Sequence, residues 1–415
     1  MWTRRHLLQM GAASAALAAI PGGVRAAPVA GAGPHSVVVL FLRGGVDGVY
    51  AFDPKTRSEV APKVDVPYGP VGITEAGGLR MGPHWNLLSR HAERLAVVHG
   101  IQVKTANHES GAEQMLRLKT GVSTRVPGIL DIIGSQRGDR PLASVTMGEV
   151  SSLEFAPAAF GGPTTTSKHT VLDLLDDVSP DDYALLSRVY AQHLEDTHSW
   201  APSTRRDRTR EHLAQVQALF ARMPEVPPFE PEKWTSSAST QPIARDLQRT
   251  LWLLENDLTR CVYLKVYLNW DSHYDNAGKQ RVSSGRFVSL FSRFLDELTT
   301  RTGPRGVLAD HTLLVAGSEL GRFPVLNGVQ GKDHFPETSL LFSGPGIRTN
   351  GRGATYGQTG KMMEGLPVSL ATGAPHDTGT HLILDDVGTT LLHMTGFTPD
   401  RFGYRGRRMA FLENA

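Results

Sequence analysis

The chain has 415 residues, and its 43 lysines and arginines against 41 acidic residues leave a formal charge of +2. Three arginines and no acid fall in residues 1–26, so the remainder carries 40 basic against 41 acidic groups. That balance excludes a general nucleic-acid binder, which needs a basic excess or a basic stripe. A single cysteine, Cys261, excludes an intrachain disulfide, a thiolate metal cage and a CxxC redox pair.

The 40% apolar content is ample for one large core. With 43 glycines and 26 prolines, about one residue in six punctuates the backbone, which suits a loop-rich α/β protein better than a helical bundle.

The chain opens Met1-Trp2-Thr3-Arg4-Arg5-His6-Leu7-Leu8, followed by an Ala-rich apolar run over 10–20, Pro21-Gly22-Gly23 and Val24-Arg25-Ala26. A charged start, a short apolar stretch and small residues before a cut make a secretory layout, with cleavage expected after Ala26. The adjacent arginines point to the twin-arginine export machinery as a partner, and so to a bacterial periplasmic or secreted protein. The apolar run is too short to span a bilayer, and no later segment approaches the length needed, so no stable membrane span is expected. Residues 27–415 are read as a single domain.

Residues 35–42 form a β-branched, mostly apolar run of the kind that is buried on both faces in a parallel sheet. Residues 95–99, 262–268 and 312–316 repeat the pattern, and 338–342 is a shorter strand ended by Gly344-Pro345-Gly346. Ile243, Leu247, Leu251, Leu254 and Leu258 share one helical face, and Phe287, Leu290, Phe291, Phe294, Leu295 and Leu298 share another. A last helix spans 382–395, with Gly396 at its C-terminal end. Helices alternating with buried strands predict a doubly wound, mostly parallel α/β sheet with helices on both faces and its sites at the strands' carboxyl ends. Residues 150–240 are read as a loop and helical insertion or cap, with helices over 181–194 and 207–223 and a proline-rich stretch over 224–242.

The chemistry-bearing residues cluster at these strand ends. Arg43-Gly44-Gly45-Val46-Asp47-Gly48 combines a tight turn with the hard oxygen donor Asp47, although a plain turn aspartate has the same signature. In Asn269-Trp270-Asp271-Ser272-His273 the carboxylate and imidazole lie two residues apart, on one side of an extended chain. That arrangement suits a divalent ion or, equally, an Asp–His hydrogen bond. Gly317-Ser318-Glu319-Leu320-Gly321-Arg322 puts a carboxylate at the end of a buried strand, where it needs a metal ion or Arg322 as counter-charge. Gly331-Lys332-Asp333-His334-Phe335-Pro336 adds a further acid and imidazole before the next strand. A mixed acid and histidine set suits a metal acting as Lewis acid or activating water.

Asn107-His108-Glu109-Ser110-Gly111 opens a helix that ends near Thr120-Gly121. The Ser110 hydroxyl, at the positive end of the helix dipole, is a nucleophile candidate or simply the helix cap. His108 is a base or a metal ligand.

In order and spacing these motifs resemble the family catalogued as domain of unknown function 1501, many members of which carry twin-arginine signals. The matching stretches are Leu42 to Gly48, Asn107 to Gly121, Trp270 to His273, Ser318 to Arg322, Gly331 to Pro336, and Ser343-Gly344-Pro345-Gly346-Ile347. The resemblance runs over about residues 35–404 and is weakest through 150–240. That family is similar to the alkaline-phosphatase-like superfamily. The resemblance therefore implies Asp47, Asp271, His273, Glu319 and His334 as metal ligands, Asp333 as a further one, and a nucleophile near Ser110.

There are departures from the superfamily pattern. Asp47 lies a few residues past its strand, and Ser318-Glu319 replaces an Asp-His pair. The Cys/Ser-x-Pro-x-Arg sulfatase signature is missing, with Cys261 expected to end a helix, which argues against a formylglycine sulfatase.

These readings lead to an expected exported, metal-dependent hydrolase acting on a small-molecule or polymeric phosphate or sulfate ester. The ion would be zinc, calcium, magnesium or manganese, and Ser110 or an activated water would attack. Arg43, Arg322 and Lys332 would contact the anion, with His108 at the catalytic centre. One alternative is a non-catalytic periplasmic binding or assembly protein on a decayed hydrolase fold. Another is acid–base catalysis by Asp271 and His273 without metal.

Overall fold

The first apolar run folds as strand β1 (Ser36–Arg43), and its two faces feed two different cores. Val38, Leu40 and Leu42 join one hydrophobic cluster, while Val37, Val39 and Phe41 join the other. That is the period-two alternation of a strand covered on both sides. Each of these six side chains is at most 1% exposed, and each contributes about 1.5–3 kcal/mol by burial.

The computed structural model describes residues 34–121, 128–137, 140–148, 178–196, 214 and 216–414. The expected signal segment lies outside the described residues, as does much of the 150–240 insertion.

Seven strands make the central sheet: β1, β2 (Leu95–Gln102), β3 (Leu142–Met147), β4 (Thr259–Tyr267), β5 (Thr312–Gly317), β6 (Glu337–Ser343) and β7 (Ala354–Tyr356). Their spatial order is β7-β2-β6-β5-β1-β4-β3. β1 pairs in parallel with β4 and β5, β3 with β4, and β7 with β2. β6 runs antiparallel to both neighbours, β2 and β5.

The helices are α1 (His108–Arg117), α2 (Ile129–Arg137), α3 (Pro180–Asp196), α4 (Gln241–Glu255), α5 (Asn276–Thr300) and α6 (Leu384–Met394). Leu247, Leu251, Phe287 and Phe291 of α4 and α5 pack into the cluster that holds Val38. Met115, Ile132 and Leu391 of α1, α2 and α6 pack into the cluster that holds Val37. Helices therefore cover both faces, as the strand and helix alternation predicts.

Several elements differ from the sequence reading. Cys261 lies inside β4, buried, and does not end a helix. Of the helix expected over 207–223, residues 216–222 are helical and much of its start lies outside the described residues. Pro242 belongs to the first turn of α4, where its missing N–H costs nothing.

The antiparallel β6 has a geometric consequence. β1, β2, β4 and β5 all deliver their carboxyl ends to one edge of the sheet, and β6 begins at that edge, with Glu337 opposite Gln102. Residues just before β6 therefore meet residues just after those four strands.

Candidate metal centre

At the end of β1 the backbone turns through Gly44 and Gly45, with φ of 118° and 81°. A side chain at Gly44 would place its Cβ 2.9 Å from the Asp271 nitrogen, so the turn needs glycine for space as well as for conformation. The turn aims two amides inward. Gly44 N–H donates to Glu319 Oε1 and Oε2 at 3.0 and 3.2 Å, and Gly45 N–H donates to Ser318 Oγ at 2.9 Å. The Ser318 hydroxyl has Glu319 Oε2 at 2.8 Å and the Leu42 carbonyl at 2.7 Å.

Glu319 is fully buried. Its Oε1 lies 2.6 Å from His108 Nδ1, so its charge is matched through the imidazole, the Gly44 amide and the Ser318 hydroxyl rather than by Arg322. Helix α1 is capped by Asn107, whose Oδ1 accepts from Ser110 N–H at 2.9 Å. Ser110 is thus not the cap, and His108 is the first helical residue. Gly111, one turn along, lets the helix sit directly on Glu319, since a Cβ there would stand 2.8 Å from Glu319 Cγ.

Asp271 and His273 follow β4 in a segment held at both ends. Trp270 is fully buried, edge-on to Phe287 at 5.7 Å. Asn269 and Asp275 take left-handed backbone angles, which short polar side chains tolerate. Asp275 then caps α5 by accepting from Gly278 N–H at 3.2 Å.

Three imidazoles converge on one carboxylate oxygen. Nε2 of His273, His108 and His334 lie 3.2, 3.4 and 3.6 Å from Asp271 Oδ1. Each ring meets an acceptor at its other nitrogen: Glu319 for His108, Asp333 Oδ1 at 3.2 Å for His273, and the Ala106 carbonyl at 2.6 Å for His334. A carbonyl only accepts, so Nδ1 of His334 carries the proton, and a neutral ring then presents the Nε2 lone pair to the centre. The Nε2 atoms of His273 and His334 are 2.9 Å apart, a spacing that needs a proton or a cation between them. Nε2 of His108 is buried without a hydrogen-bond partner.

Within this donor set, His108, Asp271 and His334 have the spacing of a candidate metal site. Bonds of about 2.0–2.2 Å at tetrahedral angles put ligand atoms about 3.4 Å apart, the spacing around Asp271 Oδ1. The donor atoms of His108, Asp271 and His334 all lie within 4.8 Å of one another. An acceptor behind each imidazole is the usual outer support of metal-ligating histidines.

The electrostatics agree. Burial pulls the His108 pKa down, but the neighbouring Asp271 and Glu319 carboxylates outweigh it and push the value up to about 9. Burial would raise Asp271, yet His108, His334 and Arg322 hold it far below the usual carboxylate range. Arg322 Nη2 donates to Asp271 Oδ1 at 2.7 Å.

The remaining candidates are placed elsewhere or in other roles. Asp47 is buried in an ion pair with Lys332 Nζ at 2.7 Å and accepts from Asn276 at 2.9 Å, so it does not join the imidazoles. Lys332 is likewise enclosed, and Arg322 spends its donors on the Gly44, Gly45 and Lys332 carbonyls and Asp271. Neither is presented to a substrate anion. Glu319 and Asp333 stand behind histidines, not in the ligand positions expected of them. Arg43 is partly exposed, 3.7 Å from Glu109. Ser110 shares α1 with His108, but residues two apart on a helix do not face the same way.

Sequence reasoning missed the Asn107 cap, the Ala106 carbonyl and Asp65, whose Oδ2 lies 3.3 Å from Lys332 Nζ. Only Asn107, directly before a helical start, carries a readable signal.

A family model described as "Protein of unknown function (DUF1501)" matches residues 34–411. Among solved structures, the chain is similar to the lipoteichoic acid synthase LtaP from Listeria monocytogenes, at 9% identity over 98% of this chain and 82% of that one, with a TM-score of 0.43. It is also similar to a protein in the alkaline phosphatase superfamily from Vibrio parahaemolyticus, at 11% identity over 98% and 78%, with a TM-score of 0.41. A third is the PsFucS1 sulfatase from Pseudoalteromonas sp., at 12% identity over 92% and 72%, with a TM-score of 0.41. Comparison with curated proteins finds no match.

Proposed function

Because the chain belongs to that family, whose description assigns no activity, we propose its function from the site itself: a metal-dependent hydrolase of phosphate or sulfate esters. The observation that carries this reading is the convergence of three histidine Nε2 atoms on Asp271 Oδ1. His108, Asp271, His273 and His334 would hold the ion. A nitrogen-rich set suits zinc better than calcium, magnesium or manganese, which prefer oxygen donors. The bound ion would supply a Lewis acid that stabilises negative charge on the ester oxygens.

The chain's own groups do the rest. Glu319, Asp333 and the Ala106 carbonyl fix each imidazole so that its Nε2 faces inward. Arg322 balances the charge of Asp271 and keeps it from swinging. Arg43, partly exposed near the start of α1, is the cation placed to meet an anionic substrate, with the helix N-terminus adding favourable potential. Exposed Tyr274 and Phe323, each next to a residue of the site, offer apolar surface to the ester's organic portion. The facing of Ser110 favours water as the attacking group.

The twin-arginine segment supports export of the chain already folded, to the periplasm or beyond. To test the function, chelator-stripped protein would be reloaded with zinc or manganese and assayed on aryl phosphate and aryl sulfate esters. Turnover that appears with the ion and vanishes in His334→Ala supports it. A chain that binds neither ion and keeps its thermal midpoint in chelator sinks it.

The alternative of a non-catalytic binding protein draws on one observation. Asp47, implied as a ligand by the family resemblance, is tied to Lys332, and among the described residues a single cluster has metal-ligand spacing. Ion binding without turnover on either ester class would favour this alternative.

A further inference from the structure

Lys332 is fully buried, directly before Asp333 and His334, and its ammonium reaches two carboxylates. Nζ lies 2.7 Å from Asp47 Oδ2 and 3.3 Å from Asp65 Oδ2, and it stands 5.3 Å above the Tyr50 ring. The Tyr50 hydroxyl donates to Asp65 at 3.2 Å, and Asn276 donates to Asp47 at 2.9 Å. The backbone of the same residue is spoken for as well. Lys332 N–H donates to the Ser272 carbonyl at 2.9 Å, between Asp271 and His273, and its own carbonyl accepts from Arg322 at 3.1 Å. Arg322 in turn holds Asp271.

Burying an ammonium is expensive, and well-packed apolar residues in its place are often as stabilising or more so. What an apolar side chain lacks is direction. An ammonium between two carboxylates fixes where its backbone sits, and here that backbone leads into Asp333 and His334 and lies against the Asp271 and His273 segment. Resting on the metal-centre reading above, we infer that Lys332 is a positioning residue. Clamped by Asp47 and Asp65, it holds the 331–335 segment in the position that brings His334 and His273 onto a common ion. Asp47 thereby serves the centre from behind and is not one of its ligands.

The test compares two double variants. Asp47→Asn with Lys332→Met removes the clamp while leaving no new unpaired charge between these two residues. Arg140→Met with Asp257→Asn removes another, part-buried pair, 2.6 Å apart, at the opposite edge of the sheet. Chelator-stripped proteins are titrated with zinc alone in a calorimeter, and thermal midpoints are recorded without the ion.

The clamp variant is expected to bind zinc 10–100-fold more weakly, the range typical of lost outer support. The distal variant should keep wild-type affinity even if it melts earlier. Should the clamp variant fail to fold, Lys332→Arg keeps the charge with a different shape and should still weaken zinc by about tenfold. Wild-type affinity in a folded clamp variant, or equal weakening in the distal one, overturns the positioning role alone. Wild-type protein that takes up no zinc overturns the metal reading and this role together.

Discussion

His108 and Glu319 meet at 2.6 Å across 211 residues of chain, joining the first residue of α1 to the end of β5. The contact decides which nitrogen of His108 faces the centre. An acceptor at Nδ1 leaves Nε2 for Asp271 and for an ion, whereas a free ring would have two orientations. Replacing Glu319 with Gln keeps the shape and removes the charge. Metal affinity should fall 10–100-fold, with loss of turnover at limiting ion and partial recovery at high ion. Calorimetric titration and an aryl ester assay across ion concentrations check this, and unchanged affinity would show that the contact only fills space.

The same pair makes stability depend on pH in a defined direction. His108 is raised in the folded chain to about 9, against about 6.5 when unfolded. A base held more protonated in the fold contributes stability that is fully present below pH 6.5 and is lost as pH rises through 9. The shift corresponds to at most about 3 kcal/mol, reduced by solvent screening at this partly exposed ring. Urea unfolding in excess chelator at pH 6 and pH 9.5 should show that loss, and His108→Gln should flatten it. With zinc present the trend should reverse, because the ion replaces the proton. A metal-free chain equally stable at both pH values would contradict the charge assignment.

Much of this arrangement is legible in the sequence, and the remainder is hidden for physical reasons. The strands β1, β2, β4, β5 and β6 announce themselves because continuous apolar runs have few other uses. β3, with Ser144 and Thr146 buried among its residues, lacks that signal, and β7 is only three residues long. Asp271, His273 and His334 are found because they sit at strand edges. Asp47 and Lys332 are flagged by the same logic but take each other as partners, a choice made over 285 residues that no local pattern encodes. Glu319 and Asp333 are acids in the right places. Whether a carboxylate touches an ion or a ring nitrogen behind it depends on about 3 Å of depth, which residue type does not carry.

Gly111 offers a case in which two known effects oppose each other. In a helix interior alanine is favoured over glycine by about 1 kcal/mol. Here an added Cβ would stand 2.8 and 2.9 Å from Glu319 Cγ and Cβ, and Glu319 is fixed by the Gly44 amide, the Ser318 hydroxyl and His108. Overpacking of this kind costs about 1–3 kcal/mol, so Gly111→Ala should destabilise despite its better propensity. It should also weaken zinc binding by displacing His108. A higher melting temperature with unchanged affinity would mean that α1 can lift away freely.

Ser110 and His334 separate two accounts of the reaction. Helix α1 directs His108, Gly111, Ala112 and Met115 along one face, whereas Ser110 lies two positions from His108, on another. If water attacks, Ser110→Ala should keep turnover within about threefold, a surface-sized effect rather than the loss of a nucleophile. His334→Ala removes one imidazole from Asp271 Oδ1 and should lower turnover about a hundredfold or more, together with metal content. Steady-state rates on an aryl phosphate and an aryl sulfate, paired with metal analysis of each variant, check both. A Ser110→Ala protein that retains its ion but loses turnover as severely as His334→Ala would return the hydroxyl to the attacking position and rule out water in that role.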